Sequence, residues 1–240
     1  MAQTQEQGQT VFVGRKQELK QLHGYLRETI DTGRSRVVLV EGDYGLGKTT
    51  LVTRFLSEVA DSATHPRLNI GKGECMIGTR NSGLAPFIQL MQATKKEMRW
   101  KPTRGSLWSL VKRVAPAWLD IITAGVATTV VTTAEETEHL ARPVRSSYSH
   151  DNIFLQFANT ITELSRSSTV LAWIEDLHWA DEMSLMLFDY LANRLRDAPL
   201  LIIGTYRPVE GLQTEQYAKL FSKICISQRH GRTVNGPNLL

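Results

Sequence analysis

The chain has 240 residues, enough for one large α/β domain or two small ones, and it can bury a sizeable core without disulfides or metals. Its net charge of +4 permits an acidic partner without requiring one, and Cys75 and Cys225 lie in no C-x-x-C pair, which excludes a zinc site of that kind. Because the polar N-terminus also lacks the apolar core of a signal peptide, we expect a cytoplasmic protein with reduced thiols.

Residues 1–10 are predicted to be disordered, and an amphipathic helix is the first regular element. A spacing of three and four residues places four apolar side chains on one face of this helix: Leu19, Leu22, Leu26 and Ile30. The leucine-rich and β-branched run RVVLVEG, at 36–42, then predicts a central strand of a parallel sheet.

Between this strand and the next predicted helix lies GDYGLGKT, residues 42–49, which fits the phosphate-loop pattern G-x-x-x-x-G-K-[ST]. Its glycines allow close backbone approach, while successive N–H groups and the helix N-terminus attract an anion. We expect Lys48 to contact the β- and γ-phosphates and Thr49 to bind Mg²⁺. A chance match in a turn is the alternative. The predicted nucleotide-binding residues of the loop are Gly42, Asp43, Tyr44, Gly45, Leu46, Gly47, Lys48, Thr49 and Thr50.

The middle of the chain carries weaker patterns. A second strand is predicted at about 67–75, and residues 95–145 are interpreted as helices inserted between two strands of the sheet. Within them, the apolar run at 114–134 is about as long as a bilayer is thick. Pro116, Asp120 and five threonines nevertheless favour buried helices of a soluble domain, so no membrane contact is expected.

The segment at 95–113 is basic, with seven Lys or Arg residues against one Glu, and it includes Trp100 and Trp108. Basic residues interleaved with aromatic ones can bind single-stranded nucleic acid. A solvated helix face with inward tryptophans is the more common arrangement and is the one we expect. Nucleic-acid binding through 95–113 remains an alternative, and the residues that would test it are Lys95, Lys96, Arg99 and Lys101.

The stretch TVLAWIEDLHWAD predicts an apolar strand that ends in Glu175 and Asp176. Two carboxylates at the tip of a buried strand are costly unless they meet a cation or hydrogen-bond donors. Because successive strand residues point to opposite faces, we assign Glu175 to Mg²⁺ through water and Asp176 to the attacking water. A helix cap or a surface pair is the alternative. We expect His178 to be structural and Asp181 to cap the next helix.

The last long strand, PLLIIGTYRP at 199–208, places Thr205 and Arg207 at its carboxyl end. Open α/β sheets bind ligands at that end of their strands, so Arg207 is predicted to contact the γ-phosphate or to sense its loss. An exposed arginine at a strand end fits equally well. A further short strand is predicted in GRTVNG, and the alternation of strands with helices favours a parallel sheet covered on both faces.

Five segments occur in a characteristic order: FVGRKQEL, EGDYGLGKTTL, GKGECMIGTRNSGLAPF, VLAWIEDLHWADEMSL and LLIIGTYRP. With them the chain resembles the ATPase domain of the STAND class of AAA-like P-loop NTPases, over about residues 11–235. The chain is similar to the origin-recognition-like AAA domain of large LuxR-type activators and adenylyl cyclase-associated regulators, and DLHWAD is the most specific segment. The resemblance implies a three-layer α/β sandwich whose five-stranded parallel sheet has the order 5-1-4-3-2. It places Val13, Gly14 and Arg15 near the adenine, and Thr205 and Arg207 at a sensor position.

The resemblance also implies a function: a slow, Mg²⁺-dependent ATPase that acts as a signalling or transcription-regulatory switch, in which ATP favours assembly with itself or with regulatory partners. The catalytic residues predicted from the motifs are Asp176, Glu175, Lys48 and Arg207, with Thr49 and Glu175 at the Mg²⁺. A nucleotide-binding module without turnover and a DNA-acting initiator-type ATPase are the alternatives. The chain departs from the family in ending its acidic strand with Glu-Asp instead of Asp-Asp. Residues 236–240 are interpreted as the truncated start of a lid, which makes the chain an isolated core or a piece of a larger regulator.

Overall fold

The computed structural model describes residues 14–61, 68–76, 83–92, 110–118, 121 and 149–207. The longer described helices are α1 (Lys16–Thr32), α2 (Lys48–Asp61), α3 (Ala85–Gln92), α4 (His150–Ser165) and α5 (Glu182–Arg194). The strands are β1 (Arg36–Glu41), β2 (Leu68–Glu74), β3 (Thr169–Glu175) and β4 (Leu200–Tyr206). At least one helix separates each strand from the next along the chain, as the hydrophobic patterns predicted.

The four strands form one parallel sheet in the order β1-β4-β3-β2. The α/β class and the parallel sheet are therefore confirmed. The fifth strand, predicted in GRTVNG, lies outside the described residues, so the five-strand count and the complete order 5-1-4-3-2 stay predictions. Because β4 lies between β1 and β3 and all three strands are parallel, the segments that follow them lie side by side at the carboxyl ends of the strands.

Each face of the sheet is covered by helices, because alternate side chains of the central strands point to opposite sides. Leu171 and Trp173 of β3 belong to a core with α1 and α2, whereas Val170, Ala172 and Ile174 belong to the core on the other face. The first core includes Leu22, Leu26, Leu51, Val52 and Phe55. The second includes Phe87, Phe154, Phe157, Leu187 and Phe188. Every residue of β3 is buried, as expected for a strand covered on both faces.

Two strand glycines mark places where another segment approaches the sheet too closely for a side chain. A Cβ on Gly73 of β2 would lie 2.0 Å from the carbonyl oxygen of Pro86 in α3, and one on Gly204 of β4 would lie 2.4 Å from Leu177 Cδ1. Glycine in a strand commonly marks such a close approach. Gly73 thus lets α3 pack on β2, and Gly204 lets the turn after β3 pack on β4.

The predicted insert at 95–145 is only partly described. Residues 110–114 and 116–118 are helical, and Trp118 is buried, with its indole N–H donating to the Ile153 carbonyl at 2.8 Å. In the described part of the chain, no helix has the length and apolar character needed to cross a membrane. Other predictions lie outside the described residues and stay predictions: the disordered 1–10, Val13, Cys225, the lid start at 236–240, and the basic residues Lys95, Lys96, Arg99 and Lys101.

Candidate functional site

The phosphate loop occupies residues 42–47, between the end of β1 at Glu41 and the start of α2 at Lys48. Gly45 and Gly47 have φ angles of 78° and 76°, in the left-handed region that favours glycine, so the loop requires both. The Gly42 N–H donates to the Tyr206 carbonyl at 3.3 Å, which extends the pairing of β1 with β4 into the loop. The strand–loop–helix context predicted for GDYGLGKT is therefore present.

Lys48 is buried against the loop that precedes it. Its Nζ donates to the carbonyl oxygens of Gly42 at 2.6 Å and Asp43 at 2.9 Å. Burial, followed by the positive charge of Arg207, lowers the pKa of Lys48, and the charges of Asp176 and Asp43 oppose this shift. Lys48 therefore lies within electrostatic range of both the acidic segment after β3 and the arginine after β4.

A hydrogen bond joins the phosphate-loop helix to the acidic end of β3. Thr49 Oγ1 donates to Glu175 Oε1 at 2.5 Å, across 126 residues of sequence. The other oxygen, Glu175 Oε2, lies 2.5 Å from the Nζ of Lys72, a β2 residue that the sequence patterns did not single out. Only the pairing of β2 with β3 brings Lys72 to the site, and neither strand indicates that pairing by itself.

Asp176 is placed by a turn and not by strand alternation. Its φ and ψ angles of 55° and 48° are left-handed, and β3 ends one residue earlier. The prediction that alternation sends Glu175 and Asp176 to opposite faces is therefore wrong for Asp176. Its N–H donates to Thr205 Oγ1 at 3.0 Å, and its carboxylate oxygen Oδ1 lies 3.9 Å from His178 Nδ1. Its charge raises the pKa of Lys48, so the carboxylate is electrostatically coupled to the phosphate loop.

The end of β4 brings Thr205 and Arg207 beside both segments. Thr205 is buried, and the contact its hydroxyl oxygen makes is with the Asp176 N–H, so its predicted contact with nucleotide stays a prediction. The Arg207 guanidinium lies over the ring of Tyr44, 4.7 Å from the ring centre. Tyr44 is 81% exposed at the tip of the phosphate loop, and cation–π contacts of this kind are modestly stabilising.

The residues around the site also have defined positions. Gly14 and Arg15 precede α1 with φ angles of 89° and 54°, and the charge of Arg15 contributes to the lowered pKa of Lys48. Asp181 caps α5 as predicted, accepting from the Ser184 N–H at 2.9 Å. His178 is buried in a 3-10 turn at Leu177–Trp179, next to Asp176.

Cys75 also lies close to the acidic segment. Its thiol is buried, and its N–H donates to the Glu175 carbonyl at 3.0 Å. Burial, together with the nearby carboxylates, raises the pKa of this thiol far above its ordinary value. Cys75 is therefore a buried thiol of the core, and its predicted reduced state stays a prediction.

The chemistry of the described residues fits a nucleotide phosphate with Mg²⁺. A loop with two left-handed glycines and a buried lysine suits the phosphates, and the Thr49 hydroxyl and Glu175 carboxylate are hard oxygen ligands. Among the described residues, no group of three or more His, Cys, Asp or Glu side chains could hold a metal ion. Magnesium is usually held by one or two protein oxygens together with substrate phosphates, as this donor set would allow.

The family model described as an AAA ATPase domain matches residues 11–203 of the chain. This chain belongs to the AAA ATPase domain family. Nucleotide binding and hydrolysis are the general activity of that family, and the AAA-like P-loop part of the predicted resemblance is thereby confirmed. The match includes the phosphate loop and the acidic pair and ends just before Thr205 and Arg207. The STAND or LuxR-type subclass stays a prediction.

A relative from Rhizobium meliloti (strain 1021), named only as an uncharacterized protein, is 24% identical over 204 residues. The aligned region is 82% of this chain and 18% of that protein, so the chain spans less than a fifth of the relative's length. The comparison therefore gives no role for the larger protein, and the assignment to the ATPase family depends on the family model alone.

Proposed function

We propose that this AAA domain binds ATP together with Mg²⁺ on the loop 42–50 and hydrolyses it slowly to ADP and phosphate. The observation that carries the proposal is the 2.5 Å hydrogen bond from Thr49 to Glu175. It joins the helix that follows the phosphate loop to the acidic end of β3, so one ion can meet a hydroxyl, a carboxylate and a bound phosphate at one place.

Each site residue has a proposed task. Lys48 binds the β- and γ-phosphates, which would replace the carbonyl oxygens of Gly42 and Asp43 as acceptors for its Nζ. Thr49 and Glu175 hold the Mg²⁺, with Glu175 acting through water. When bound, the ion neutralises charge on the phosphates and orients them. The contribution of the protein is then mostly positioning and electrostatic stabilisation, as in other phosphoryl transfers.

Asp176 and Arg207 complete the proposed hydrolytic site. Asp176 orients the attacking water, and its coupling to Lys48 supports a place beside the phosphates. Arg207 contacts the γ-phosphate or responds to its loss, and its position over Tyr44 at the loop tip supports this task. Gly14 and Arg15 are proposed to lie beside the adenine, and the effect of Arg15 on Lys48 is consistent with that place.

The experiment compares the wild-type protein with Lys48→Ala and Asp176→Asn by nucleotide binding and by single-turnover phosphate release. We expect Lys48→Ala to lose ATP binding because it removes the buried ammonium group. Asp176→Asn should retain binding and lose turnover. Full binding by Lys48→Ala, or normal turnover by Asp176→Asn, would refute the corresponding role. Bound ATP recovered unhydrolysed from the wild-type protein would instead identify a nucleotide-binding module without turnover.

We further propose that the ATPase acts as a regulatory switch whose self-assembly or partner binding depends on the nucleotide. The support is the resemblance of DLHWAD and its neighbouring segments to STAND-class ATPases. The test is the oligomeric state measured by light scattering with ADP and with a non-hydrolysable ATP analogue. Assembly with the analogue alone is the expected result, and an identical state with both nucleotides would argue against the switch.

A further inference from the structure

Glu175 is engaged at both of its carboxylate oxygens. Oε1 accepts from the Thr49 hydroxyl, and Oε2 lies 2.5 Å from the Nζ of Lys72. The carboxylate is buried, with its side chain 7% exposed, whereas the Lys72 side chain is 41% exposed. A buried carboxylate is costly unless a cation or hydrogen-bond donors compensate it, and Lys72 is such a cation supplied by the chain itself.

The position of Lys72 is fixed by more than this ion pair. In the register of β2 and β3, Lys72 is opposite Trp173 and Glu74 is opposite Glu175. The Lys72 ammonium lies 4.4 Å from the centre of the Trp173 ring, and Glu74 Oε2 is 4.0 Å from the same nitrogen. Trp173 is buried, so its ring is a rigid support for the lysine. A mobile surface lysine would have no such support.

We propose that Lys72 is a positioning residue that compensates the charge of Glu175 and thereby opposes binding of the divalent cation at the phosphate loop. The inference rests on the proposed function, which assigns Glu175 to Mg²⁺. Lys72 and Mg²⁺ are attracted to the same carboxylate, and each positive charge repels the other. By thermodynamic linkage, the free energy by which Lys72 weakens Mg²⁺ binding equals the free energy by which bound Mg²⁺ weakens the Lys72–Glu175 ion pair.

The direction of the effect follows from this competition. Without the lysine charge, Glu175 keeps its bond from Thr49 and has one compensating cation fewer, so Mg²⁺ should bind more tightly. Coupling between two sites typically changes affinity at least about fivefold, and the partly exposed Lys72 should lie near that lower limit. The same substitution should destabilise the protein without Mg²⁺, because the buried carboxylate then lacks its ion pair.

The test uses Lys72→Met, which removes the charge and retains an unbranched side chain over Trp173, with Lys72→Gln as a second neutral variant. Lys72→Arg is a control that keeps the charge. Lys112→Gln is a control that removes one positive charge elsewhere: Lys112 is exposed, and its neighbour Val111 packs in the core on the other face of the sheet. Mg²⁺ is titrated into each protein with a fluorescent ATP analogue, and thermal unfolding is recorded with and without Mg²⁺ and nucleotide.

We expect both neutral variants to need about fivefold less Mg²⁺ for half-saturation and to gain more thermal stability from Mg²⁺ with nucleotide than the wild-type protein does. Lys72→Arg and Lys112→Gln should behave as the wild-type protein does. In a Glu175→Gln background, Lys72→Met should no longer change the Mg²⁺ requirement, because the shared carboxylate is gone.

An unchanged or higher Mg²⁺ requirement in both neutral variants would overturn the inference. A lower Mg²⁺ requirement caused by Lys72→Met in the Glu175→Gln background would overturn it as well, because the shared carboxylate is absent there. These results differ from a failure of the proposed function. If the wild-type protein binds no nucleotide at any Mg²⁺ concentration, the proposed function itself fails. If Glu175→Gln weakens Mg²⁺ binding while Lys72→Met has no effect, only the role of Lys72 is refuted.

Discussion

Replacing Thr49 by Val should separate nucleotide binding from Mg²⁺-dependent turnover. Valine keeps the shape and β-branch of threonine, so the change replaces only the hydroxyl that donates to Glu175 at 2.5 Å with a methyl group. A hydrogen bond to a charged group contributes about 1.5–3 kcal/mol, and the lower figure applies because Thr49 lies on the exposed side of α2. Denaturant unfolding should therefore show a loss of about 1.5 kcal/mol.

The effect of Thr49→Val on turnover should be larger than its effect on stability. Residues that merely orient a metal ligand typically contribute about 10–100-fold in metal affinity or activity. Loss of the proposed ligand itself should therefore reduce phosphate release at limiting Mg²⁺ by about 100-fold. The assay is a Mg²⁺ titration of single-turnover phosphate release, with Thr53→Val as a control at an exposed position of the same helix. Wild-type Mg²⁺ dependence in Thr49→Val would refute the assignment of this hydroxyl to the ion.

Three further predictions concern packing, the arginine and pH. Gly73→Ala should lower the free energy of unfolding by about 3 kcal/mol, because its Cβ would lie 2.0 Å from the backbone oxygen of Pro86. The control Gly24→Ala, where the new Cβ has no atom within 4 Å, should be neutral or stabilising. Equal temperatures of thermal unfolding for the two variants would contradict this prediction. Tyr44→Ala should reduce turnover about two- to fivefold by removing the ring under Arg207, and Tyr44→Phe should retain most of it, since a cation–π contact at an exposed site contributes about 0.5–1 kcal/mol. Because burial and then Arg207 lower the pKa of Lys48, ATP affinity measured up to pH 10 should begin to fall at lower pH than for an ordinary lysine, and Arg207→Ala should move that fall to higher pH.

The parts of the site that depend on neighbouring residues could be predicted from the sequence. A glycine-rich loop between an apolar strand and a helix is fixed by backbone rules that act over a few residues, and GDYGLGKT follows them. The cap at Asp181 is equally local, since its carboxylate meets an N–H three residues later. Such features need no knowledge of which strands pair.

The contacts between strands could not be predicted in the same way. Lys72 reaches Glu175 only because β2 lies beside β3 in one register, and packing of the whole sheet decides that pairing. Gly73 has its reason in the backbone of α3, which no strand pattern contains. The orientation predicted for Asp176 depended on side chains alternating along β3, and the left-handed turn at Asp176 ends that alternation. The Asp176 carboxylate nevertheless raises the pKa of Lys48 after the phosphate loop.

The end of β4 fixes the two halves of the site relative to each other. Thr205 accepts from the Asp176 N–H and so holds the turn after β3. Toward β1, the Tyr206 carbonyl accepts from the Gly42 N–H. The Tyr206 hydroxyl donates to Glu41 Oε2 at 2.5 Å, just before the phosphate loop. Consecutive residues of one strand therefore contact the acidic segment and the phosphate loop.

Arg207 continues this sequence of contacts by lying over Tyr44 at the tip of the loop. Because β4 pairs with β1 on one side and with β3 on the other, its carboxyl end can contact the segments that follow both neighbours. A displacement of the end of β4 would consequently act on the turn that carries Asp176 and on the phosphate loop together. In the proposed ATPase, the end of β4 therefore couples the position of the attacking water, at Asp176, to the loop that binds the phosphates.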